Sequence, residues 1–235
     1  MTMRPPSVPT ILCTVDVVLL TLLDGQLQVA LITRYRAPHA GRLALPGGFI
    51  HPDEDRDMRA AARRMLRDKA GLACPYLEQL GTFGGPDRDP RGWSVSVAHV
   101  ALVPATLLAR GHADLRWHPV DRLPALPFDH AEIVAQAVAR VRSKSQYSSL
   151  PVYLCGERFT LPQLQSVYEA LLGEPLNKVS FRRRMEEMGM LEAVAGATEG
   201  GAHRPAQLWR LREDARGRLA LADRAWGATP APTPT

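Results

Sequence analysis

The run Leu45-Pro46-Gly47-Gly48-Phe49-Ile50, the charged stretch from His51 to Asp57, and the segment closing on Ala70-Gly71-Leu72 decide how this sequence folds. The last of these reads as a helix from about Asp57 to Ala70, stopped by Gly71, because glycine readily takes the left-handed backbone that ends a helix. Upstream, Leu12 to Leu23 reads as a strand, Asp24-Gly25 as a hairpin turn and Leu27 to Thr33 as the returning strand. Downstream, Tyr76 to Thr82 and Ser94 to Val103 read as strands around a polar loop, Gly84 to Gly92. A short strand, Leu115 to Pro119, and a helix from Asp129 to Ser143 follow. Mixed strands around a central helix predict an α/β sandwich over residues 10–143, after a loose Pro-rich start.

At 235 residues the chain suits two small domains, each large enough for its own core. Hydrophobic residues make up 46% and charged residues 23%, an ordinary globular composition. A formal net charge of +5 permits a polyanionic partner without demanding one. Cys13, Cys74 and Cys155 have no metal-ligand spacing, so they are expected to be reduced thiols of a cytoplasmic protein. The longest apolar run, Val17 to Leu23, is of strand length, and no signal peptide or membrane span is expected.

The polar stretch Arg142 to Ser149 marks an expected boundary, giving domains over 1–148 and 149–225 and a disordered Ala/Thr/Pro-rich tail over 226–235. Past the boundary the pattern turns mainly helical. Thr160 is placed to cap a helix over Leu161 to Leu172, with Pro162 tolerated in its first turn. Asn177 is placed to cap a second helix to Met188, ended by Gly189. Leu191 to Val194, a Gly-rich turn from Ala195 to Gly201, and Ala206 to Leu211 complete a winged helix-turn-helix layout.

The Gly-Gly-Phe passage, acidic loop and helix ending Ala70-Gly71-Leu72 resemble the Nudix hydrolase box, G-x5-E-x7-R-E-U-x-E-E-x-G-U, with U a bulky aliphatic. In that box the carboxylates share one helix face and hold Mg²⁺ against a diphosphate. Aligned on Gly71-Leu72, Arg64 takes the arginine position and Leu66 the aliphatic one, and the carboxylate positions become Met65, Asp68 and Lys69. Aligned on Gly48 and Glu54, they become Arg63, Leu66 and Arg67, and the loop between Glu54 and Arg64 is two residues too long. Either way the metal set is broken, and a lysine repels the cation, so neither metal nor cofactor is expected. Regrouping Glu54, Asp55 or Asp57 around Asp68 is disfavoured by the altered loop; those acids read as favouring the helix N-terminus.

Loss of the metal leaves a pocket in which arginines and backbone amides can hold a nucleotide diphosphate. The candidates are Arg34 and Arg36, Gly48 and Phe49, Arg64 and Lys69, and Arg88 and Arg91, with Phe83 or Trp93 to stack on a base. Taken singly, each fits a solvated charge or a packed aromatic equally well, so the constellation carries the reading. His130 reads as capping or packing at its helix start.

In the second half, Asn177, Lys178, Ser180, Arg182 and Arg183 lie in the N-terminal part of the second helix, where a recognition helix meets base edges. His203, Arg204 and Gln207 lie on the wing, within reach of a minor groove or phosphate. The bland alternative is a solvated helix face with Arg183 pairing Glu187. The clustering of bases at both helix start and wing favours double-stranded DNA.

Nearly the whole chain is similar to the Nudix-related transcriptional regulators, the NrtR-type repressors of NAD biosynthesis. The likeness rests on Val15-Asp16-Val17-Val18, Leu45 to Phe49, Thr82-Phe83-Gly84, Pro86 to Gly92 and Phe128 to Glu132. In the second half it rests on Phe159 to Leu164, Tyr168-Glu169-Ala170, Phe181-Arg182-Arg183 and Gly201 to Ala206. The resemblance implies a homodimer on a palindromic operator, released when ADP-ribose or a related metabolite fills the Nudix pocket. It implies lost hydrolysis at Met65 and Lys69, and DNA contact by Lys178, Arg182, Arg183, His203 and Arg204. Two rivals stand beside it: an active Mg-dependent Nudix diphosphatase acting on ADP-ribose-like substrates, and a DNA-binding module that takes no ligand.

Overall fold

A computed structural model of the chain describes residues 10–199, 205–222 and 225–226. Strand β1 (Leu12–Leu23) is the axis of a seven-stranded sheet. One edge of β1 runs parallel to β6 (Ser94–Leu102), from the Leu12–Ser94 pair to the Leu20–Leu102 pair. The other edge is shared. Its C-terminal half pairs antiparallel with β2 (Gln26–Thr33), and its N-terminal half with β4 (Gly47–Phe49), which brings Asp16 opposite Gly47. Strand β5 (Tyr76–Gly85) lies outside β6, and β3 (Leu43–Ala44) and β7 (Arg116–Pro119) pair with β2.

The period of two along β1 makes two cores from one strand. Val15, Val17 and Leu19 pack with Ala61, Ala62, Met65 and Leu66, whereas Val18 and Leu20 pack with Ile133, Val134, Ala137 and Val141 on the opposite face. Ala61, Ala62 and Met65 of the first set belong to α1 (Met58–Met65), whose cap Asp57 accepts from the Ala60 amide at 2.7 Å. The helix continues from Leu66 to Ala70 as a π turn before Gly71 ends it at φ 67°. The expected span to Ala70 therefore holds, with a wider last turn that re-aims Asp68 and Lys69 relative to Met65. The second set belongs to α2 (His130–Ser145), fastened to β5 by Glu78, which accepts from Arg140 at 3.1 Å and Lys144 at 2.5 Å.

The polar stretch expected at the boundary is partly buried and bonded: Ser145, Ser148 and Ser149 are buried, while Arg142, Ser143, Gln146 and Tyr147 are exposed. Tyr168 donates its hydroxyl to the Ser148 carbonyl at 2.9 Å, and Ser149 N–H donates to Ala220 at 2.9 Å. A 3₁₀ turn, Leu150–Leu154, then places Leu150, Tyr153 and Leu154 in the first domain's core and Val152 in the second's. Serine hydroxyls returned to their own backbone carbonyls explain how so polar a stretch enters a core: Ser145 bonds to Val141 and Ser148 to Lys144, each at 2.7 Å.

The second domain comprises β8 (Phe159–Thr160), α3 (Leu161–Leu172), α4 (Lys178–Met188), β9 (Leu191–Glu199) and β10 (Ala206–Leu211), the strands ordered β8-β10-β9. Thr160 and Gln163 form a reciprocal capping box, and Asn177 accepts from the Val179 and Ser180 amides. Strand β9 runs five residues past the expected Val194, to Glu199, because a register shift with positive-φ Gly196 absorbs the Gly-rich sequence without ending the ladder. Trp226, read as the start of a disordered tail, stacks on Phe181 with centroids 6.0 Å apart, and its backbone N–H donates to the Gln146 carbonyl at 3.0 Å. Its indole packs against a core of Leu164, Tyr168, Phe181, Met185 and Met190. Among the described residues no helix is long and apolar enough to cross a membrane.

Candidate ligand pocket and nucleic-acid interface

Where β2 and β4 diverge along β1, a cavity of about 830 Å³ opens, lined by β1, β2, β4, α1, the Arg88–Arg91 loop and the start of α2. Its floor is Asp16, 6% exposed. The Asp16 carboxylate accepts from Ser96 at 2.7 Å and from Arg88 at 3.4 Å, and lies 3.5 Å from His130 Nε2. Burial pushes this carboxyl up, but His130, Ser96 and Arg88 together outweigh burial and hold it below the usual aspartate value. The Leu45 amide donates to His130 Nδ1 at 3.1 Å, which leaves Nε2 to carry the proton toward Asp16. Gly47 is required here: a Cβ would collide with the Asp16 carboxylate and lie 2.8 Å from the Val15 carbonyl.

The six basic candidates divide into two groups. Arg64 is buried, donates twice to Asp55 at 2.9 and 2.6 Å, and donates to the Phe49 carbonyl at 2.9 Å. Arg88 grips Asp129 at 2.8 and 2.7 Å, and Arg91 grips Asp89 at 3.0 and 2.7 Å. Each of these three meets a carboxylate as a bidentate fork, a match of guanidinium and carboxylate geometry that leaves little for a ligand. Arg64 was expected to contact ligand; its place is to clamp the 50–57 loop to α1. Arg34, Arg36 and Lys69 line the cavity and form no ion pair among the described residues. Burial, together with the like charge of Arg91, lowers the Arg34 pKa against Asp16 and Asp89, so this guanidinium stands to gain from an added anion.

Gly48 and Phe49 line the cavity, Phe49 being 44% exposed with the Arg91 guanidinium 5.0 Å from its ring centre. Phe83 does not: it is buried in the core beneath α2, because the β-bulge between Gln79 and Gly81 shifts the alternation of β5 and turns it to the α2 face. Trp93 covers Gly84 instead, and the phenyl and phenol rings lining the cavity are those of Tyr35, Phe49 and Phe128. Tyr35, Asp16 and Asp129 were missed as site residues; the paired acid and arginine sets around Asp16 and Asp89 were a usable signal, Tyr35 gave none. Tyr35 lines the cavity and donates to Asp114 at 3.1 Å.

The family's metal positions also face this cavity. The Met65 sulfur sits against Gly48, where a Cβ would meet it at 3.3 Å, so a soft thioether stands where a hard cation would need an oxygen. Asp68 pairs with Arg67 at 2.8 Å, and Lys69 stands beside it. Among the described residues no three His, Cys, Asp or Glu side chains gather as a metal-ligand set. The donor set does not fit Mg²⁺.

In the second domain, Phe181 and Met185 turn inward at i and i+4, which leaves Asn177, Lys178, Val179, Ser180, Arg182 and Arg183 exposed on one surface. Arg182 and Arg183 form exposed pairs with Glu186 at 3.9 Å and Glu187 at 3.4 Å, each worth about 0.3–0.5 kcal/mol and easily exchanged for phosphate. Arg184 points back, its guanidinium 3.8 Å from the Trp226 ring centre. Gln207, expected at DNA, donates its amide to the Val194, Ala197 and Leu208 carbonyls at 2.9, 3.2 and 2.9 Å. It spans the irregularity in the β9–β10 ladder between Gln207 and Trp209. His203 and Arg204 lie outside the described residues.

A sheet sandwiched by α1 and α2 with a box helix under a cation-lined cavity, continuous with a winged helix, defines a Nudix domain fused to a DNA-binding module. The NUDIX domain family matches residues 14–140, and the NrtR DNA-binding winged helix domain family matches residues 151–211. The chain is 41% identical over 208 residues to the ADPR responsive transcriptional repressor of Acinetobacter baylyi, covering 86% of this chain and 83% of that protein. It is similar to the crystal structure of Shewanella oneidensis NrtR complexed with a 27mer DNA (TM-score 0.82, 38% identity, 91% of this chain and 98% of that one). It is similar also to the Nudix domain of that protein complexed with ADP ribose (TM-score 0.52, 39% identity, 59% of this chain and 93% of that one). The chain belongs to the NrtR-type family of Nudix-related transcriptional regulators.

Proposed function

We propose that this protein is a ligand-responsive transcription repressor that binds operator DNA through its winged helix and senses ADP-ribose or a related nucleotide sugar in a Nudix pocket that does not hydrolyse it. One observation carries the reading: a single chain joins an exposed basic recognition helix to an anion-seeking pocket whose metal positions hold Met65 and Lys69. Likeness to an ADPR responsive repressor over most of both chains supports it. We assign the diphosphate to Arg34, Arg36 and Lys69, the base to Phe49, and DNA contact to Asn177, Lys178, Ser180, Arg182 and Arg183. The regulated genes, on this reading, serve NAD metabolism, and the protein works as a homodimer on two half-sites.

Helix α2 is the route between the sites. Its start holds His130 at the pocket and Asp129 on Arg88, and the Gln146 carbonyl just past its end accepts from the Trp226 backbone N–H at 3.0 Å and from Arg184 at 3.4 Å. A ligand that draws Arg34 from the ring of Phe128, 4.8 Å away at the entry to α2, favours a shifted α2 and re-angles the winged helix, altering half-site spacing. Such a ligand regulates only by binding the two arrangements unequally. The test is a fluorescence-anisotropy titration against the DNA upstream of its own gene, with and without ADP-ribose, plus product analysis in Mg²⁺. Salt-sensitive binding weakened by ADP-ribose, with the nucleotide recovered intact, is the expected result. Rapid Mg²⁺-dependent cleavage without DNA binding would replace this reading with the diphosphatase.

A further inference from the structure

Val179 is the most exposed large hydrophobic side chain among the described residues, at 78%, and it stands in the first turn of α4. Its neighbours Lys178 and Ser180 are polar and exposed, and Arg182 and Arg183, three and four residues on, flank it on the same helix face. Nothing in the fold asks for a valine there. The helix start is already fixed by the Asn177 side chain, the buried face is supplied by Phe181 and Met185, and an exposed β-branched residue lowers helix propensity. The N-terminal turn of a recognition helix is the part that reaches base edges. On those edges the major groove offers hydrogen-bond donors and acceptors and one apolar group, the thymine C5-methyl. A valine cannot answer the former.

Resting on the DNA-binding reading above, we infer that Val179 is a specificity-determining residue that packs its methyls against a thymine C5-methyl in the operator half-site. The flanking cations engage phosphates or guanine edges, while the valine selects thymine over cytosine by apolar contact.

The experiment is a two-by-two cycle on the full chain. The DNA upstream of its own gene is amplified with dTTP or with dUTP, which removes every C5-methyl while keeping base pairing. Wild type and Val179→Ala are titrated against both; alanine at an exposed helical position preserves the fold. Removing one buried methyl is expected to weaken wild-type binding about fourfold for each contact. The ratio collapses toward one in Val179→Ala, and Val179→Ile retains it. Equal wild-type affinity for the two fragments, or the same ratio in Val179→Ala, overturns the assignment while leaving DNA binding standing. Failure of wild type to bind the dTTP fragment overturns the DNA reading itself, and the assignment with it.

Discussion

Substituting Asp55→Ala removes the partner of a nearly dry guanidinium. The Arg64 and Asp55 side chains are 5% and 2% exposed and share two hydrogen bonds. Breaking such a pair from one side costs about 3–5 kcal/mol, because the remaining charge stays buried. Glu54, 3.7 Å from Arg64 Nε, and the Phe49 carbonyl still face it, so the low end, about 3 kcal/mol, applies. For a chain of this size that lowers Tm by about 6–12 °C, readable by scanning calorimetry. The Arg64 hydrogen bonds, aided by the His51 amide and opposed by burial, hold the Asp55 carboxyl down to about 2 from 3.8. A depressed acid contributes stability that is complete above its unfolded value and lost as pH falls through the folded one. The wild-type advantage over Asp55→Ala, of which at most about 2 kcal/mol is pH-linked, therefore narrows between pH 4 and pH 2. Replacing both residues, Asp55→Ala with Arg64→Met, recovers much of the loss. A Tm change under about 2 °C, or a gap between the two proteins that ignores pH, would refute the clamp.

Replacing Lys178, Arg182 and Arg183 together by alanine weakens DNA binding at every sequence and lowers the slope of log K against log salt by about one per lost phosphate contact, measured by anisotropy. Lys69→Glu weakens ADP-ribose binding about 10- to 100-fold, as loss of a charged hydrogen bond does, without Mg²⁺-dependent cleavage appearing; calorimetry and product analysis check both. Trp226→Ala destabilises the protein by about 3 kcal/mol in chemical denaturation. Trp226→Phe is tolerated, since the indole nitrogen is buried without a partner among the described residues.

The sequence alone determined the architecture and its order. The alternation along β1, the Gly71 stop, the Thr160 and Asn177 caps and the helix-turn-helix spacing are local signals, and local backbone physics acts through neighbours a few residues apart. It determined also, through the alignment on Gly71-Leu72, that Met65 and Lys69 stand at carboxylate positions of the box; the π turn that re-aims Lys69 relative to Met65 it did not determine. Which arginines remain for a ligand was decided only in three dimensions. Arg64 meets Asp55 nine residues away and Arg88 meets Asp129 across 41 residues, and no spacing rule distinguishes a committed guanidinium from a free one. The fates of Phe83, Gln207 and Trp226 were set likewise by what surrounds them: a helix, an irregular ladder and a core. Burial and pairing are properties of the surroundings, and the surroundings of a side chain exist only once distant segments have met.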